Sequence, residues 1–279
     1  MTVLVDWATV TLMAASPAGT RRHLIPILTA LAITLAIPGT ALAQGAPVTD
    51  AAVADPAARA RFTLDLSKRG DFVAQTNFVQ CVGASMQMML NMIKPKDDRT
   101  SRTQRKLQVL ARALSGRRPD GNQRQGASVR GWTSGLNSLG AGPYRTVGTR
   151  DIQEALKAAA SAMRETGRPV GLLVWRGRHA WVMAGFTATA DPRKTDDFRV
   201  LEAIVLDPLY PYGSSVWGES PNPRESISVR ELGRQFVPRG LRSLAGGGTS
   251  AVSAWSQAMS GKYVIVMPYE PARSAAIRR

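Results

Sequence analysis

The period of the apolar residues changes near residue 168, and that change restricts the chain to folds that join helices to an antiparallel sheet. Pro169 to Trp175 is a short apolar run, Arg176, Gly177 and Arg178 form a tight turn, and His179 to Phe186 is a second run. Runs of this length bounded by turn residues read as strands. Leu201 to Asp207 reads as a third strand and Lys262 to Pro268 as a late one, with a short helix from Ser228 to Phe236 between them. Ahead of residue 168 the spacing is helical. Cys81 to Ile93 carries Val82, Met86, Met89, Leu90 and Ile93 on one face and stops at Lys94-Pro95. Thr100 to Leu114 turns Leu107, Leu110, Ala111 and Leu114 inward and its cations outward, and the polar stretch from Arg117 to Gly126 reads as a loop. Ser128 caps a short helix through Trp132, Leu136 and Leu139, and Asp151 opens a longer one, Ile152 to Glu165, closed by Gly167. Helices first and an antiparallel sheet second is an α+β plan, expected as one domain over residues 61–279.

The N-terminus has a different character. Arg21, Arg22 and His23 precede an apolar run from Leu24 to Ile37, broken by Pro38-Gly39 and followed by Ala41-Leu42-Ala43. A basic start, a short apolar stretch and an A-x-A site form an export signal, expected over residues 1–43 with cleavage after Ala43. The run is shorter than the ~20 residues a membrane span needs, so no transmembrane anchor is expected after processing. The Arg21-Arg22 pair leaves general and twin-arginine export both open. Residues 44–60, rich in Ala, Pro and Asp, read as a flexible lead-in. The expected location is the periplasm, the cell envelope or the medium.

Removing residues 1–43 leaves one His, His179, and one Cys, Cys81. Intramolecular disulfides and zinc sites built from several Cys and His are therefore excluded, and no metal or other cofactor is expected. Cys81 opens the first predicted helix, where the positive end of the helix dipole and unsatisfied N–H groups favour a thiolate. A buried structural Cys occupies such a position equally well. His179 opens a strand after a tight turn, where an imidazole can take the thiol proton and return it to a leaving amine. Asp207 ends the next predicted strand; if the two strands are neighbours it can orient the imidazole. Gln75 lies six residues before Cys81 and can join the Cys81 N–H as an oxyanion donor, with Gln80 ranked second because consecutive residues point apart. Trp175, Trp181 and Tyr210 flank these positions as substrate-groove candidates. Met86, Met88, Met89 and Met92 sit at helical spacing beside Leu90 and Ile93 and read as core, not as a soft-metal site.

Gln75 six residues before a helix-opening Cys81, then His179 through Phe186, then Val205-Leu206-Asp207-Pro208, resembles the papain-like cysteine peptidases. The set is closest to the branch related to the bacteriocin-processing, double-glycine peptidases, and covers roughly Phe72 to Pro268. The resemblance implies a papain-like α+β fold with N-terminal helices packed on an antiparallel sheet. It also implies Cys81 as nucleophile, His179 as base, Asp207 as orienter and Gln75 as oxyanion donor. The chain departs from the family by carrying Gln80-Cys81-Val82-Gly83 where many members have Asp-Cys-Gly. The Arg-rich stretch from Lys94 to Arg130 has no assigned counterpart.

The function expected from these features is hydrolysis of peptide or protein substrates by an exported cysteine peptidase, with amide hydrolysis or acyl transfer open. A second reading keeps the fold without catalysis, as a module binding peptide or an anionic cell-surface polymer. A formal net charge of +16 suits anionic surroundings, although 29 of the 36 basic residues are Arg, a bias that composition alone explains. No nucleic-acid-binding motif occurs, so specific nucleic-acid binding is not expected. A third reading, a cell-wall peptide hydrolase, shares the Cys-His pair but often uses a second His that residues 44–279 lack.

Overall fold

Thirteen residues from Cys81 to Ile93 form the first helix, with the boundaries that the apolar spacing predicts. In the computed structural model the structure describes residues 61–94, 96–116, 125–240 and 254–270. They belong to one compact unit, Arg59–Arg279. The export signal, its cleavage site and the whole of the lead-in fall outside the described residues.

Strand β1 (Phe62–Asp65) comes first, then helices α1 (Cys81–Ile93), α2 (Ser101–Ala113) and α3 (Val129–Ser138). Strand β2 (Tyr144–Thr149) and helix α4 (Ile152–Thr166) follow. Strands β3 (Val170–Val174), β4 (His179–Ala188) and β5 (Val200–Leu206) come next, then β6 (Gly213–Ser214), β7 (Gly218–Glu219) and β8 (Glu225–Ser228). The last elements are α5 (Val229–Leu232), α6 (Ala254–Ala258) and β9 (Tyr263–Pro268). The caps are chemical stops: Thr100, Ser128 and Asp151 side chains accept the N–H of Thr103, Gly131 and Glu154, and Gly167 ends α4 at φ +65°.

The main sheet runs β2-β9-β3-β4-β5-β8, and every pairing in it is antiparallel. The ten-residue β4 pairs β3 through its first half and β1 through its second, with β5 on its other edge. The chain is thus mixed α+β around an antiparallel sheet. Both faces of that sheet are covered, which is why β3 and β4 are buried at every residue. On one face α1, α2 and α3 pack Met86, Met89, Leu107, Trp132 and Leu136 against Leu173, Ala180, Val182 and Val266. On the other, Leu156, Ala159 and Met163 of α4 meet Leu172, Trp181, Met183 and Ile265. Gly171 is where α3 reaches the sheet; a Cβ there would stand 2.4 Å from the Trp132 ring.

Three features differ from the sequence expectation. Helices do not all precede strands, because β1 comes before α1 and β2 stands between α3 and α4; β2 is an edge strand of mixed polarity, zipped onto β9 from Tyr144↔Pro268 to Thr149↔Tyr263. The helix expected over Ser228–Phe236 shortens to α5 (Val229–Leu232), and Glu225–Ser228 joins β5 as a strand. Helix α1 is buried from Val82 to Met89 on every side, not on one face, since α2 and α3 close over it while β4 lies beneath. Met86, Met88 and Met89 are wholly buried, in line with their reading as core. No described helix is long and apolar enough to cross a membrane.

Candidate functional site

Antiparallel pairing of Val182 with Leu206 brings the start of β4 and the residue after β5 to one end of the sheet. His179 and Asp207 therefore meet, with His179 Nε2 2.7 Å from Asp207 Oδ1. Asp207 is wholly buried and both of its carboxylate oxygens are hydrogen-bonded. Oδ1 also accepts the Leu209 N–H at 2.8 Å, and Oδ2 accepts the Ser220 hydroxyl at 2.5 Å. A carboxylate so held cannot rotate away from the imidazole. With Nε2–H donating to Asp207, Nδ1 is the nitrogen left to act as base.

Helix α1 crosses the same end of the sheet. The Ser85 hydroxyl, one turn beyond Cys81, donates to the Ala180 carbonyl beside His179 at 3.2 Å and ties the two elements together. Cys81, a free and half-buried thiol at the head of α1, is the other side chain besides Asp207 that acts on the charge of His179. Burial of His179 favours the neutral ring, but hydrogen bonds to Asp207 and Cys81 and their charges outweigh it, holding the imidazolium up to about pH 9. Trp175 stacks on the imidazole with ring centroids 4.2 Å apart. Its backbone at φ +56° is held by Gln235, whose carbonyl accepts the Trp175 N–H at 2.9 Å and whose Oε1 accepts its indole N–H at 2.8 Å.

The segment before Cys81 forms the remaining wall. The Gln75 N–H donates to the Pro208 carbonyl at 2.7 Å, joining this segment to the residue after Asp207. The Gln75 amide donates to the Asn77 carbonyl at 3.0 Å, within its own loop. Gln80 precedes the helix and its Oε1 accepts the Thr76 hydroxyl at 2.7 Å. At a helix start the first N–H groups have no intrahelical acceptor. Gln108 Oε1 takes that of Gly83 at 3.0 Å, which leaves the Cys81 N–H as a donor at the site.

The structure thus brings Cys81, His179 and Asp207 together and sets Gln75 on the adjoining loop. Of the groove candidates, Trp175 covers the imidazole and Tyr210 stands edge-on to Phe72 at 6.0 Å, beside Pro208. Trp181 is wholly buried against the α4 side of the sheet and lines no groove: alternation along β4 turns it into the core. Sequence reasoning missed Ser220, Gln235, Gln104 and Gln108, all reached through tertiary contacts. Only the two Gln residues left a signal, as polar interruptions at i and i+4 in the apolar stripe of α2. Among the described residues, no group of three or more His, Cys, Asp or Glu side chains is placed to hold a metal ion. No protein-family model matches the chain, and no curated protein matches it.

Proposed function

We propose that the protein is a papain-like cysteine peptidase acting on peptide or protein substrates at Cys81. The observation that carries this reading is the buried His179, pinned by Asp207 at 2.7 Å and raised in pKa by Asp207 first and by the only thiol of the chain after it. A structural Cys needs neither an imidazolium beside it nor a buried, doubly anchored carboxylate behind that imidazolium. Exposed Phe78, three residues before Cys81, and exposed Tyr212, five after Asp207, offer apolar contacts to a bound chain. The export signal read in residues 1–43 supports a location outside the cytoplasm after cleavage near Ala43.

The chemistry follows from the geometry. The Cys81 thiolate attacks the substrate carbonyl carbon, a C–S bond forms, and the carbonyl electron pair moves to oxygen. The Cys81 N–H receives that oxyanion, with the Gln75 amide as second donor once it turns from Asn77. His179 gives its Nδ1 proton to the departing amine nitrogen as the C–N bond breaks, leaving a thioester. Water then attacks the thioester while Nδ1 takes its proton, and the C–S bond breaks to release the acid and restore the thiolate beside a protonated His179. Asp207 keeps Nε2 protonated throughout and holds the ring in line.

Cys81→Ala and His179→Ala should each abolish Cys81-dependent hydrolysis of a peptide library, and the double variant should be hardly worse than either. Iodoacetamide should alkylate Cys81 rapidly in the wild type and slowly in His179→Ala. Alkylation of the wild type at the rate of free cysteine would overturn the enzyme in favour of a silent binding module.

A further inference from the structure

We infer that Gln104 and Gln108 of α2 are positioning residues for this site, holding the nucleophile and the oxyanion donors in register from behind. The inference rests on the peptidase reading above and extends it to the Arg-rich stretch between Lys94 and Arg130.

The two side chains lie at i and i+4 on the inner face of α2, at 0% and 4% exposure. Each uses both ends of its amide on the chain around Cys81. Gln104 brackets Gln75: its Nε2 donates to the Ala74 carbonyl at 2.9 Å, and its Oε1 accepts the Thr76 N–H at 2.8 Å and the Thr76 hydroxyl at 3.1 Å. Gln108 brackets Cys81: its Nε2 donates to the Val79 carbonyl at 2.8 Å, and its Oε1 accepts the Gly83 N–H at 3.0 Å. Gly83 makes the second bracket feasible, because a Cβ there would stand 2.9 Å from the Gln104 carbonyl oxygen and from Gln108 Cβ. Residues 76–79, by contrast, are exposed, and their internal bonds run only among Gln75, Thr76, Asn77, Val79 and Gln80. A loop this exposed does not hold a donor still unaided, and an oxyanion donor works only when fixed in advance. A buried amide costs stability unless every polar atom is paired. Two Gln residues in the stripe of Leu107 and Ala111 are therefore matched to the loop and not to general packing.

The test uses Gln104→Met and Gln108→Met, which keep volume and lose the hydrogen bonds, with Gln87→Met as control. Gln87 is equally buried, but its amide holds the Asp98 and Thr100 carbonyls, away from the Gln75–Cys81 loop. Gln104→Met and Gln108→Met should each lower kcat on a peptide substrate about a hundredfold, the scale set by a misplacement of about 1 Å, with KM little changed. Gln87→Met should lower Tm comparably and leave kcat alone. Gln104→Met should add little to Gln75→Ala, because it acts through Gln75, and should leave iodoacetamide alkylation, which forms no oxyanion, near the wild-type rate. Wild-type kcat in both Gln variants, or full additivity with Gln75→Ala, would overturn this inference alone. A wild type without Cys81-dependent turnover would overturn the functional reading and this inference with it.

Discussion

His179 is the residue on which the proposed chemistry turns, because burial alone would strip its charge and its neighbours restore it. The wholly buried Asp207 supplies the first hydrogen bond and the first compensating charge, with Cys81 behind it. In the proposed peptidase, an imidazolium held up to about pH 9 would keep a proton ready for the leaving group across neutral pH, so activity should fall as pH rises through that value. Asp207→Asn keeps the shape and removes the charge that raises His179. The alkaline limb of kcat/KM should therefore move to lower pH, and alkylation should slow as the thiolate loses its partner. An unmoved limb would mean that Asp207 contributes geometry alone. Ser220, which binds the other carboxylate oxygen, went unnoticed in the sequence because thirteen residues and a hairpin of β6 and β7 separate it from Asp207.

At the scale of elements, the pattern of residues places the limits of α2 well but does not show what its inner face holds. Its outer cations, Arg102, Arg105, Lys106 and Arg112, make it look like a solvated insertion, and its inner Leu107 and Ala111 look like ordinary core. Its closeness to α1 is set at Gly83. Gly83→Ala should push α2 away from α1, since the obstructing atoms include the Gln104 backbone carbonyl and not a side-chain tip. Overpacking of this kind costs about 1–3 kcal/mol, so Tm should fall and, with Gln108 out of reach of Val79, turnover should fall as well. A variant as stable and as active as the wild type would show that the two helices separate freely.

Across the whole molecule, opposite ends of the pH range draw on different groups. His179 is raised from 6.5 to about 9 in the folded state, so its contribution to stability is complete below pH 6.5 and is lost as pH rises through about 9. Asp191 is lowered from 3.8 to about 2, first by its hydrogen bond to Arg164, so its contribution is present above pH 3.8 and is lost as pH falls through about 2. Urea denaturation between pH 6 and 10 should show the wild type weakening across pH 6.5 to 9 and His179→Ala staying flatter. Parallel curves would mean that the site does not couple to global stability.

Several features that depend on near neighbours in the chain were legible from the amino acids, although the short β6–β7 hairpin and α6 were not. The limits of α1, the Asp151 and Gly167 stops of α4, and the hairpin of β3 and β4 follow from periodicity and capping, which act within a turn or two. The strand positions of His179 and Asp207 likewise made their meeting legible, provided that β4 and β5 are neighbours, as they are. Tertiary structure alone decided the rest. It chose β9 as the partner of β2 across more than a hundred residues, buried Trp181 while stacking Trp175 on the imidazole, and aimed Gln104 and Gln108 at the loop before Cys81. A hydrogen bond between distant segments depends on where packing brings both of them, and no local pattern of residues carries that information.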